Sequence, residues 1–82
     1  MNKFIVVVDS GFVFVGNVDS FESHMVTIHN ARNIRVYGTS NGIGQLALTG
    51  KTSSTVLDDV GTMHVNQNKI IFCIEVDPNV DL

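Results

Sequence analysis

The chain has 82 residues, 44% hydrophobic and 16% charged, with a formal net charge of -3. This composition excludes disorder over most of the chain, and the length is that of one small domain. The single cysteine excludes an internal disulfide, and the three histidines have no partners at metal-ligand spacing, so we expect no metal and no cofactor. No apolar run is long enough for a secretory signal or a membrane span, and the negative charge argues against a general affinity for nucleic acids.

Short apolar segments separated by turn signals predict β-strands along most of the chain. These segments are residues 4–8, 12–18, 25–29, 33–37, 56–57, 62–65 and 70–76. One short helix is predicted at about 42–49, because Ile43, Leu46 and Ala47 recur at helical spacing and Gly50 follows them. The predicted fold is therefore mainly β: a small antiparallel barrel or half-barrel over residues 1–77, followed by a loose tail at 78–82.

The middle of the chain carries an uneven distribution of charge. No Asp or Glu lies between residues 23 and 57, a window that contains both arginines. Strand alternation places Arg35 and Tyr37 on one face, and the turn after them leads into the predicted helix N-terminus, whose free N–H groups favour anions. The predicted anion-binding residues are Asn33, Arg35, Tyr37, Gly38, Thr39, Ser40, Asn41, Gly42, Lys51 and Thr52. A capped helix beside an exposed arginine, or a tight turn at a subunit contact, would explain the same residues.

No catalytic site is predicted. The segment from Gly50 to Thr55, GKTSST, resembles the end of a phosphate-binding loop, but Gln45 stands where that motif requires glycine. Asp58 and Asp59 are adjacent in a predicted turn, so their side chains would diverge rather than act as a pair. We therefore expect a binding protein rather than an enzyme.

Two segments resemble the motifs of Sm-like proteins. FVFVGNVDSFESHMVTIHNARNI is similar to the first motif, and MHVNQNKIIFCIEV resembles the second. The resemblance implies a small barrel of the Sm or Src-homology-3 kind. The turn that carries RNA-binding polar residues in that family here reads Ser23-His24-Met25, which departs from the family's pattern. The segment 37–60 is longer than the loops of ordinary Sm-like proteins.

A further stretch, NARNIRVYGTSNGIGQLALTGKTSSTVLDDVG, is similar to a family of small bacteriophage and prophage proteins. Members usually have Trp at the position of Tyr37 and Pro near Lys51. This resemblance implies a phage origin and the cytoplasm of a bacterial host as the place of action.

These observations lead to two main functional hypotheses. The leading hypothesis is a phage accessory protein, a homo-oligomer that sequesters a small phosphate-bearing ligand such as a nucleotide signal of host defence. The alternative is an Sm-like RNA-binding ring, with a protein-binding inhibitor or minor structural phage component as a third reading. Homo-oligomerisation is expected in each case, because a small core without disulfide or metal needs support and apolar strands at both chain ends need partners.

Overall fold

Five strands, one α-helix and one 3-10 turn follow one another along the chain. The computed structural model describes all 82 residues. The elements are β1 (Asn2–Val8), β2 (Val13–Val18), β3 (Met25–Val36), α1 (Ile43–Thr49), β4 (Val56–Asn66), the 3-10 turn (Gln67–Lys69) and β5 (Ile70–Glu75). The strands form one antiparallel sheet in the order β4-β3-β2-β1-β5. The predicted mainly β fold with one short helix is confirmed. The helix is not long enough to cross a membrane.

Two long strands replace four predicted short ones. Asn30 and Gly61, which the sequence analysis placed between separate strands, lie inside β3 and β4 and adopt left-handed backbone angles, with φ values of 51° and 91°. The pairing register of β3 with β4 shifts on both sides of the Ala31–Gly61 pair. The turn-forming residues therefore bend two continuous strands instead of ending them, as β-bulges do.

The bent sheet is buried on both faces. Ile5 and Val6 of β1 are adjacent and fully buried, and successive strand residues point to opposite faces. Ile5 belongs to a helix-covered core, whose members are Ile5, Val13, Val15, Ile34, Leu46, Ala47, Val76 and Leu82. Val6 belongs to an inner core enclosed by the curl of the sheet, whose members are Val6, Val8, Val18, Val26, Ile28, Ala31 and Val65.

The C-terminal residues hold the helix against the sheet. The Asp77 N–H donates to the carbonyl of Ala47, and the Lys51 N–H donates to the carbonyl of Asp81, both at 2.9 Å. Leu82 is only 2% exposed and packs in the helix-covered core. The expectation of a loose tail at 78–82 is therefore wrong, because this segment covers apolar surface that the helix leaves open.

The unpaired edges of the sheet belong to β4 and β5. The N-terminal strand β1, which was expected to need an outside partner, pairs with β2 on one side and β5 on the other. Large apolar side chains are exposed near both edges: Val60 on β4, and Ile71 and Phe72 on β5. Unpaired strands of this kind are sites at which another chain can add to a sheet.

Gly16 marks the closest approach of two backbones in the sheet. A Cβ atom at this position would lie 2.5 Å from Cγ2 of Ile28 and 2.8 Å from the carbonyl oxygen of His29. The register of β2 with β3 shifts at the same place. Only a residue without a side chain lets β2 lie this close to its neighbour β3, so Gly16 sets the curvature of the sheet around the inner core.

We expect Gly16→Ala to lower the free energy of unfolding by about 1–3 kcal/mol, because the added methyl group must push apart two packed strands. Urea denaturation followed by circular dichroism measures this change. Gly44 in α1 serves as the control, since a Cβ there meets no atom within 4 Å. Gly44→Ala should stabilise the protein by roughly 0.5–1 kcal/mol, as alanine favours the helix. An unchanged urea midpoint for Gly16→Ala would contradict the proposed role of this contact.

Candidate functional site

The residues predicted to bind an anion lie around the segment that joins β3 to α1. This segment is tied to the loop before β4 by two threonine hydroxyl groups. Oγ1 of Thr52 donates to the carbonyl of Gly38 at 2.6 Å, and Oγ1 of Thr55 donates to the carbonyl of Tyr37 at 2.7 Å. The structure thus brings these two segments together, and both hydroxyl hydrogens are used in holding them.

Gly38 has a packing role in this arrangement. Its φ is +67°, and a Cβ would lie 2.4 Å from the carbonyl carbon of Ser54. Both the backbone angle and the contact with the neighbouring loop require glycine. The glycine is therefore explained without a ligand.

Arg35 is paired with a carboxylate. Its Nε lies 2.9 Å from Oδ2 of Asp58, and its Nη2 lies 2.9 Å from Oδ1, a bidentate ion pair. Asp58 lies one residue beyond the acid-free window in sequence and reaches Arg35 across the β3–β4 pairing. The absence of Asp and Glu from residues 23–57 of the sequence therefore does not leave Arg35 without a carboxylate partner.

The turn before α1 also satisfies several of its own polar groups. The Thr39 hydroxyl donates to the carbonyl of Gly42 at 2.8 Å, and the Asn41 N–H donates to Oε1 of Gln45 at 2.9 Å. Ser40 donates to the same Oε1 at 3.3 Å. No side chain caps the N-terminus of the helix, which begins after Gly42.

Two further members of the predicted set have neighbours of their own. The Lys51 ammonium lies 3.7 Å from a carboxylate oxygen of Asp81. Asn33 is the cross-strand partner of Asp58, and its side chain helps to lower the pKa of that carboxyl. An anion site at these residues stays a prediction, but it would have to compete with the ion pairs of Arg35 and Lys51.

The Arg35–Asp58 pair predicts a titration that can be measured. The hydrogen bonds from Arg35 lower the pKa of Asp58 from its ordinary value. Because the folded-state pKa is depressed, the pair stabilises the fold at neutral pH, and this contribution is lost as the pH falls through that lowered pKa. NMR titration of the Asp58 carboxyl should show its pKa rising towards the ordinary value in Arg35→Gln. Lys51→Gln should leave it unchanged, and an equal rise in both variants would exclude the pair as the cause.

A different pair of loops meets at the ends of β2, β3, β4 and β5. The backbone N–H of Gln67 donates to the carbonyl of His24 at 2.9 Å, and the Gln67 side-chain amide donates to the carbonyl of Phe21. These bonds join the β2–β3 turn to the 3-10 turn between β4 and β5. We name the exposed residues at this junction the paired-loop surface: Ser23, His24, Met25, Gln67, Asn68 and Lys69.

The paired-loop surface combines an imidazole, a thioether, two amides, a hydroxyl and an ammonium group. The chain here is fixed by further hydrogen bonds: Oδ1 of Asn66 accepts from the Asn68 N–H at 3.3 Å, and Thr27 bonds to Nδ1 of His64 across the strands at 2.9 Å. The Lys69 ammonium lies 3.6 Å from an oxygen of Asp9. Such a set can hydrogen-bond and stack with an unpaired base, and it carries little net charge. The structure contains no cluster of three or more His, Cys, Asp or Glu side chains that could hold a metal.

The comparisons identify the fold. The chain is similar to a heptameric archaeal Sm protein, at 18% identity over 93% of this chain and 87% of that chain, with a TM-score of 0.61. It is equally similar to the SmAP1 heptamer of P. aerophilum, at 18% identity over 93% of this chain and 80% of the other, with a TM-score of 0.61. The chain has the Sm fold. No family model matches it, and no match was found among curated proteins.

The fold corrects the leading functional hypothesis. A protein that sequesters a nucleotide signal was expected, with the Sm-like ring as the alternative. The two solved structures to which the chain is similar are Sm heptamers, so the fold agrees with the Sm-like alternative and not with the leading hypothesis. The sequestering hypothesis is therefore wrong. The phage origin stays a prediction from the sequence resemblance alone.

Sequence reasoning placed no predicted site residue on the paired-loop surface. The resemblance to Sm-like proteins located the family's RNA-binding turn at Ser23, His24 and Met25, where this chain departs from the family's pattern, and the predicted site residues all lay in the 33–52 region. No local sequence signal marks Gln67 to Lys69 as neighbours of that turn. Met25 and Asn68 are far apart in the sequence, and the pairing of β3 with β4 brings them together. The cross-strand pairing of Met25 with Asn66 would have revealed this proximity, but it depends on a strand register that the sequence does not show.

Proposed function

We propose that the protein binds single-stranded RNA as a homo-oligomeric ring with the Sm fold. The observation that carries this proposal is the junction of the β2–β3 turn with the 3-10 turn, through the bond from Gln67 to His24. Each copy then presents one rigid polar surface, built from two loops, at the same end of the sheet. Binding, rather than catalysis, is the activity proposed.

The chemistry of the paired-loop surface suits an unstacked base. Sequence-selective proteins bind single-stranded RNA by stacking bases on aromatic or guanidinium planes and by hydrogen-bonding to base edges. His24 supplies a planar ring, and Asn68 supplies an amide that can both donate and accept. Met25, 44% exposed, offers a polarisable apolar contact beside them.

The sheet edges supply a means of assembly. The outer edges of β4 and β5 have no partner within the chain. If β4 of one copy pairs with β5 of the next, the contact is head-to-tail, and such contacts close into rings when the rotation between copies allows it. The archaeal Sm protein of the same fold is a heptamer, which supports a closed ring as the proposed assembly.

The net charge of -3 shapes the kind of RNA binding expected. A chain with eight acidic and five basic residues has weak long-range attraction for the RNA backbone. Affinity would instead come from base contacts repeated around the ring, since linked sites raise the local concentration of the ligand. The dependence of binding on salt should accordingly be shallow.

The assembly proposal predicts the effect of a charge on the β5 edge. Ile71→Lys, at a side chain 61% exposed, should convert the oligomer to a monomer of 8.9 kDa, because a lysine on an edge opposes pairing with another strand. Leu48→Lys is the matched control, since Leu48 is 71% exposed but belongs to α1 rather than to a strand. Light scattering after size exclusion gives the masses. A monomeric parent protein at micromolar concentration, or an Ile71→Lys oligomer of parental mass, would refute head-to-tail pairing through β5.

The binding proposal predicts the effect of removing the His24 ring. His24→Ala should weaken binding of a short single-stranded RNA by roughly tenfold, because one base–aromatic stacking contact contributes about 1–3 kcal/mol. Fluorescence anisotropy with labelled homopolymeric RNAs measures the affinity. His29→Ala removes the same side chain from the body of β3, outside the paired-loop surface, and should bind as the parent does. Equal affinities for the parent and His24→Ala would count against the site. No RNA binding by the parent would count against the function.

A further inference from the structure

Two of the five basic side chains have no acidic partner. Arg35, Lys51 and Lys69 each lie within 4 Å of a carboxylate oxygen, at 2.9, 3.7 and 3.6 Å. Lys3 and Arg32 are absent from these ion pairs, although the chain has more acids than bases. Both of them line the same surface cavity of about 470 Å³. The two basic residues outside the ion pairs therefore converge on one cavity, which makes this cavity a candidate site for an anion.

The cavity, which we name the bulge cavity, lies where the sheet bends. Its lining residues are Lys3, Asn17, Asn30, Ala31, Arg32, Asp59 and Gly61. Lys3 is the cross-strand partner of Asn17, and Arg32 is the partner of Asp59, so β1 to β4 each contribute to the wall. The left-handed Asn30 and Gly61 form the bulge between them. Six of the seven lining residues are not hydrophobic, which sets this cavity apart from an apolar docking groove.

The charges in the bulge cavity favour an anion. Lys3 and Arg32 contribute two positive charges and Asp59 one negative charge, and the Asp59 carboxylate lies beyond 4 Å from both cations. An arginine fork and an ammonium group are suited to a phosphate, and the amides of Asn17 and Asn30 can donate to its remaining oxygens. Asp59 can only accept hydrogen bonds when ionised, so it fits a hydroxyl group next to the phosphate.

We propose that the bulge cavity is a second RNA-binding site, in which Lys3 and Arg32 hold a backbone phosphate and Asp59 accepts from the adjacent ribose 2′-hydroxyl. This inference rests on the proposed function, since that function supplies RNA as the ligand. The bulge cavity shares no residue with the paired-loop surface. A strand that reaches both sites is held at two points on each copy, and DNA loses the contact to Asp59.

The test compares variants by fluorescence anisotropy with single-stranded RNA at several salt concentrations. Lys3→Ala and Arg32→Ala should each weaken binding by about tenfold, the effect of losing one charge-assisted hydrogen bond. Each should also reduce the slope of log affinity against log salt by about 0.7, since one phosphate contact is lost. Leu48→Glu, which makes the same change of net charge at an exposed site on α1, should do neither.

Asp59→Asn provides an independent reading that does not depend on how well Arg32→Ala folds. It removes the negative charge from the cavity, so binding of DNA should strengthen, while the preference for RNA over DNA of the same sequence should shrink. In one contradicting outcome, the parent binds RNA, and Lys3→Ala and Leu48→Glu both bind it with the parent's affinity and salt dependence. The bulge cavity is then not an RNA site, and the proposed function stands. If the parent binds no RNA, the proposed function and the bulge-cavity inference are both overturned.

Discussion

The close approach of β2 to its neighbour β3 at Gly16 is the contact on which the rest of the structure depends. A sheet that remained flat would leave one face of each strand in water, and an 82-residue chain has few elements with which to cover it. The missing side chain at Gly16 lets Ile28 and the backbone at His29 approach, and the sheet then curls around its own inner core. The opposite face is left to α1 and the C-terminal residues, which complete the helix-covered core.

The same curvature determines where polar groups collect. Because β3 and β4 bend together at Asn30 and Gly61, their far ends carry the β2–β3 turn and the 3-10 turn to one place, where Gln67 joins them. The bend itself opens a polar cavity in which the strands no longer pair regularly. Curling without full closure also leaves β4 and β5 unpaired, since neither bonds to the other within the chain. The junction of the two loops, the bulge cavity and the unpaired edges of β4 and β5 thus all result from the curvature of the sheet.

The alternation of apolar residues and the glycine after residue 49 were enough to predict a mainly β domain with a helix at Ile43–Thr49. What local patterns could not supply was pairing between distant residues. Asn and Gly are common in turns, and it is the pairing of β3 with β4 that makes Asn30 and Gly61 parts of β-bulges. Asp58 lies 23 residues from Arg35, so its effect on the predicted anion site depended on a register unknown from the sequence. Leu82 likewise follows turn-forming residues, and its burial depends on a helix placed by other contacts.

The pairing of basic with acidic side chains affects how much the proposed RNA binding depends on assembly. Three of the five basic residues are already matched with carboxylates, so a single copy offers a nucleic acid two free cations, in the bulge cavity, and the paired-loop surface. Under the proposed function, such a copy binds RNA weakly, because each base contact contributes only a few kcal/mol at most. Repetition of the same surface around a closed ring multiplies these contacts without adding positive charge, and it places identical sites at fixed spacing. Under the proposed function, the unpaired edges and the modest loop surface serve one requirement: the affinity that a single subunit lacks comes from its neighbours.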